Sequence, residues 1–137
     1  MGANVTRSVA DRCPASAEVF LDGLVTQDFP AVRAVLAPDV HLRALLPGGL
    51  REWTGADTVA DRFERWFGHT EQFAAVERGA GVVGGRVQLR WRFRLQAERL
   101  GRGSFVVEQV AYCDASERAI THLDLLCTGY LSEPSDG

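Results

Sequence analysis

The chain contains no lysine; all fifteen of its basic residues are arginine. Schiff-base catalysis, pyridoxal-phosphate anchoring and P-loop phosphate binding each require that missing amine, so all three are excluded. Cysteine is scarce. Cys13, Cys113 and Cys127 are odd in number and show no CxxC spacing. Cys113 and Cys127 fall on consecutive expected strands but far from the shared turn, so reduced thiols in a cytoplasmic protein are expected. No apolar run approaches membrane-spanning length, and the first residues, MGANVTRSVADR, lack the apolar core of a signal peptide. Met1-Gly2 with Thr6 carries little weight as a lipidation start, with Arg7 following and no other membrane cue. Excess positive charge is also missing. A net charge of −3 argues against nucleic acid as a partner. His41, His69 and His122 offer neither HxH nor HExxH spacing, so neither a metal nor any other cofactor is expected.

What is present describes one soluble domain. At 137 residues the chain can bury about two-thirds of its extended surface, and 46% hydrophobic residues supply an ordinary core. Ala17, Phe20, Leu21 and Leu24 recur at helical spacing, starting near Pro14–Ser16. Asp28 caps a short second helix with Pro30 in its first turn, and Phe29, Val32, Val35 and Leu36 form its apolar face. A third helix opens at Thr54–Asp57 and stops at Gly68, burying Val59, Phe63, Trp66 and Phe67. Strands are expected at Val40–Leu46 and Leu50–Thr54 around Pro47-Gly48-Gly49, then at Gln72–Glu77, with residues 79–85 flexible. Arg86–Ala97 alternates cleanly, with Val87, Leu89, Trp91, Phe93 and Leu95 on one face and arginines and glutamine on the other. Ser104–Cys113 and Ala119–Tyr130 complete the set. Glu108 should lie opposite the row Arg90, Arg92 and Arg94, giving a salt-bridged outer face that needs no nucleic acid.

This order of elements, with APDVHLRALLPGG and ERAITHLDLLCTGY at its two diagnostic places, resembles the NTF2-like superfamily. Within it the chain is most similar to SnoaL-like and ketosteroid-isomerase-like bacterial proteins. The resemblance implies an α+β, cone-shaped NTF2-like (cystatin-like) fold: a strongly curved, mostly antiparallel sheet whose concave face is closed by three helices from the N-terminal half. It covers residues 15–131, leaving residues 1–14 and 132–137 as flexible ends, and implies a homodimer through the convex sheet face. The superfamily hosts many chemistries, so fold alone does not choose among them. The ketosteroid-isomerase base, tyrosine donor and protonated aspartate fall at Ala44, Phe20 and Gln109, so that mechanism is disfavoured.

With that alignment the penultimate strand points Phe105, Val107, Gln109 and Ala111 inward. If the Asp114–Arg118 turn closes an even number of residues, the last strand points Ile120, His122, Asp124 and Leu126 inward, opposite Gln109. A one-residue change would point Leu123, Leu125 and Cys127 inward instead. In the first register His122 and Asp124 form an acid–base pair in a pocket walled by Phe20, Val40, Leu42, Phe63, Trp66, Leu89 and Trp91. Burial would bring both groups toward neutrality, and Gln109 or the Trp53 indole could donate to a developing enolate oxygen. The leading expectation is a cofactor-independent isomerase, cyclase or dehydratase for a hydrophobic, carbonyl-bearing compound. The alternatives are a non-catalytic ligand-binding or dimerisation module and an epoxide hydrolase using Asp124 as base. His69 is expected at the pocket mouth or as a helix cap.

Overall fold

The computed structural model describes residues 12–134. The expected loose segments at either end lie mostly outside those residues. Three helices, α1 (Ala15–Val25), α2 (Phe29–Ala34) and α3 (Ala56–Phe67), pack on one seven-stranded sheet. The strands are β1 (Leu36–Leu46), β2 (Gly49–Thr54), β3 (Gln72–Val83), β4 (Arg86–Gln96), β5 (Phe105–Ala115), β6 (Ile120–Cys127) and the short β7 (Leu131–Ser132). Their order is β2-β1-β6-β5-β4-β3, with β7 beside β5. Only β1 and β6 run parallel; every other pair is antiparallel. The α+β, mostly antiparallel architecture matches the expectation. Among the described residues no helix is long and apolar enough to cross a membrane.

Local chemistry explains the helix ends. Asp28 accepts a hydrogen bond from the Ala31 N–H at 3.2 Å, satisfying one orphan donor of α2. Gly55 enters α3 at φ +101°, a backbone state that a side chain resists, while its N–H bonds the Val40 carbonyl at 2.8 Å. Gly68 ends α3 for lack of room: a Cβ there would sit 2.7 Å from the Glu64 carbonyl oxygen. The left-handed step falls one residue later, on His69 at φ +53°.

Two stretches differ from expectation. β1 begins at Leu36, through Pro38, because a bulge between Leu36 and His41 lets it reach Ile120 of β6. Residues 79–83 are strand, paired with β4 from Gly79–Arg90 to Val83–Arg86. The glycines in this stretch carry an entropy cost that ladder hydrogen bonds outweigh, and only Gly84 and Gly85, both at positive φ, form the turn.

The core fills the space between the concave face and the helices. Phe20, Phe63, Trp91 and Phe93 are all at most 1% exposed. Phe63 lies at their centre, with ring centroids 5.2 Å from Phe20, 5.2 Å from Trp66 and 6.4 Å from Trp91. On the opposite face Arg92 bonds Glu108 at 2.7 Å, as the alternation of β4 requires. Arg78 pairs with Asp22, tying the outermost strand to α1.

Candidate functional site

The inner face of β5 carries Val107, Gln109 and Ala111, buried as expected, and continues to Cys113, while Phe105 at the strand's start is only partly buried. The inner face of β6 corrects the sequence reading. Ile120 is buried, but the register slips between Asp114 and Ala115, so Ala115 pairs with Ile120 while Asp114 pairs with His122. Ser116 closes the turn, its hydroxyl accepting from the Arg118 and Ala119 N–H groups and its own N–H bonding the Ala119 carbonyl. The extra residue inverts the alternation. Leu123 and Leu125 therefore face the core, with Cys127 half-buried, and His122 and Asp124 point out of the convex face. Gln109 lies opposite Cys127, not opposite Asp124.

His122 and Asp124 still meet. His122 Nε2 and Asp124 Oδ1 are 2.8 Å apart, and Arg86 Nη1 sits 3.0 Å from Asp124 Oδ2. Arg86 also donates to Asp114, and the His41 ring packs edge-on against His122 at 5.1 Å. Burial pushes the Asp124 carboxyl up, but the hydrogen bonds from His122 and Arg86 outweigh it and hold the group below the usual carboxylate range. That is the opposite of the shift expected for an acid poised near neutrality. Because the folded value is lowered, the stabilisation from Asp124 is present above its unfolded value and fades as pH falls through the folded one.

Inside the cone, Phe20, Ala44, Phe63, Leu89 and Trp91 are packed in the core, at most 1% exposed. Among the described residues the fully buried polar side chains are Ser16 and Gln109. Ser16 bonds the Ser116 carbonyl, and the Trp91 indole N–H donates to Gln109 Oε1 at 3.2 Å. No carboxylate or imidazole is buried among them. Cys113 offers no nucleophile either, since burial pushes its thiol up to about 12.

The partly buried functional groups gather around α3: Trp53 at the end of β2, Arg62 and Trp66 on α3, and Tyr130 after β6. Trp53 and Trp66 stand edge to face with centroids 5.8 Å apart. Arg62, one helical turn before Trp66, lays its guanidinium 4.7 Å above the Trp53 ring. The Tyr130 hydroxyl donates to the Trp66 carbonyl at 2.5 Å, and Arg99 donates to the Trp66 and Gly68 carbonyls at 2.9 and 3.0 Å. Burial raises the Tyr130 hydroxyl, with Arg99 opposing. Arg62 also lines a cavity of about 740 Å³, together with Arg65, His69, Glu98 and Arg99. His69 lines this cavity, which is not the apolar pocket at whose mouth it was expected. Arg62, Arg99 and Tyr130 did not emerge from sequence reasoning. The spacing of Arg62 and Trp66 was a visible signal, whereas the approach of Tyr130 to α3 was not.

The SnoaL-like domain matches residues 17–125, most of the chain and all of its core elements. The chain belongs to the SnoaL-like domain family. No curated protein matches the sequence. Among solved structures, this SnoaL-like chain is similar to a candidate SnoaL-like polyketide cyclase from Shewanella putrefaciens CN-32 (15% identity, 85% of this chain and 91% of that one, TM-score 0.64). It is also similar to a Catenulispora acidiphila DSM 44928 protein of ketosteroid isomerase-like fold in complex with trimethylamine (15% identity, coverage 83% and 85%, TM-score 0.64). A third is an LEH-like epoxide hydrolase from M. tuberculosis (19% identity, coverage 82% and 79%, TM-score 0.60). At these identities the likeness concerns the fold.

Proposed function

We propose that this SnoaL-like domain binds a planar, largely apolar small molecule against Trp53 and Trp66 at the open end of the cone, without acid–base chemistry inside it. The observation that supports this reading is the contrast between a filled interior, with no carboxylate or imidazole buried among the described residues, and a partly buried pair of indoles joined to the cavity through Arg62, which stacks on Trp53 and lines the cavity. Aromatic faces of this kind supply much contact area for little conformational entropy. Titrating the protein with 2-naphthamide and 2-naphthoate by calorimetry tests it. Trp66→Ala should weaken binding by about tenfold or more. Binding that ignores the substitution, or no binding of either compound, removes the reading.

A second reading keeps the cofactor-independent isomerase, cyclase or dehydratase. It is favoured by the 2.8 Å contact between His122 and Asp124. Such an enzyme would work on the convex face, where Arg86 already holds the carboxylate. Epoxide opening by Asp124 would face the same constraint. The binding account expects Asp124→Asn to leave naphthyl-ligand affinity within about twofold of wild type, and to cost at most about 1 kcal/mol of stability at pH 7, an effect that fades in acid. Turnover of a hydrophobic ketone or epoxide that disappears in both Asp124→Asn and His122→Gln would favour the enzyme instead.

The homodimer is also a proposal. Leu50, Leu45, Leu126 and Val110 form one cross-strand row on the convex face, and the three leucines are 56%, 48% and 54% exposed. An isologous contact there would cover them, and sedimentation at micromolar concentration should then give twice the monomer mass, a monomer mass contradicting it. The cytoplasmic assignment rests on the unpaired state of Cys13, Cys113 and Cys127.

A further inference from the structure

The cavity that Arg62 lines is cationic. Three guanidinium groups and an imidazole line it against the single carboxylate of Glu98. Two of the arginines are engaged. Arg65 bonds Asp61 at 2.7 Å, one turn back on α3, and Arg99 spends both terminal nitrogens on the Trp66 and Gly68 carbonyls. Arg99 thereby satisfies carbonyls that a helix end leaves without partners. His69 lies 3.9 Å from Glu64. Arg62 differs. Among the described residues it forms no ion pair, and its Nε is buried with no hydrogen-bond partner. The Trp53 face beneath it fixes the guanidinium plane without neutralising its charge. The terminal nitrogens of Arg62 carry no hydrogen bond among the described residues, and on a side chain that lines the cavity they are the donors an anionic oxygen could meet.

We infer that Arg62 is the anion-binding group of this site, so the ligand class is a planar aromatic compound bearing a carboxylate. The acid would enter the cavity at Arg62 while the ring system meets Trp53 and Trp66. This rests on the binding reading above and narrows its substrate class. The stacking of Arg62 on Trp53 would by itself serve structure only, so the test must separate charge recognition from packing.

Isothermal titration of wild type, Arg62→Gln and Arg62→Lys with 2-naphthoate and with its neutral counterpart 2-naphthamide makes that separation. Wild type should prefer the carboxylate by about tenfold at low salt, and the preference should shrink as salt rises. Arg62→Gln should bind both compounds alike, whatever its absolute affinity for either, and Arg62→Lys should restore part of the preference. Equal binding of the two compounds by wild type overturns the inference while leaving the binding reading intact. So does a carboxylate preference that survives in Arg62→Gln. Absence of binding by either compound overturns both.

Discussion

Replacing Phe63 by alanine should lower unfolding stability by about 3–5 kcal/mol, the loss usual for truncating a fully buried phenylalanine. Phe63 is 0% exposed and is the one ring that touches α1 through Phe20, the sheet through Trp91 and the open end through Trp66. Its removal would leave a cavity that three separate elements would have to collapse into at once. Urea unfolding should show a lower midpoint with an unchanged slope. A loss under about 1 kcal/mol would mean that the centre of the cone is not packed as described.

The second large effect comes from a change of one functional group. Gln109→Glu keeps the size of a side chain that is 1% exposed and accepts from the Trp91 indole, but it introduces a carboxyl group. Burial with one neutral donor favours the protonated form, so the folded-state pKa should rise above the unfolded value of about 4.3. Below the unfolded value both states are protonated, and the variant should approach wild type. As pH climbs, the unfolded chain ionises first and stability drains away until the folded value is passed. At pH 8 the deficit should reach about 3 kcal/mol or more. Chemical denaturation at pH 4 and pH 8 checks this. A variant as stable as wild type at pH 8 would show that water reaches Gln109, and an acid–base reading of the interior would regain ground.

The parts of the fold governed by periodicity were legible in the sequence. The alternation of β4 placed Trp91 inside and Arg92 opposite Glu108, and helical spacing placed Phe20 and Phe63. What failed was a count across a turn. One extra residue on β6, Thr121, opposite the step from Asp114 to Ala115, inverted the strand, and no propensity announces a bulge of that kind. That single residue moved His122 and Asp124 from an expected active site to a salt-bridged outer surface. The glycines of residues 79–85 misled for another reason: their local cost is real, but pairing with β4 is a tertiary gain that a local reading does not contain. The spacing of Arg62 from Trp66 was visible, but its stacking on Trp53 was not, because no repeat connects the two across the start of α3.

The most direct measurement follows the indole N–H signals of Trp53, Trp66 and Trp91 by NMR while 2-naphthoate is titrated in. Binding at the open end should shift Trp53 and Trp66 and leave Trp91, bonded to Gln109, and the backbone amides of His122 and Asp124 in place. Movement at Trp91, His122 or Asp124 with Trp53 and Trp66 unchanged would contradict the account.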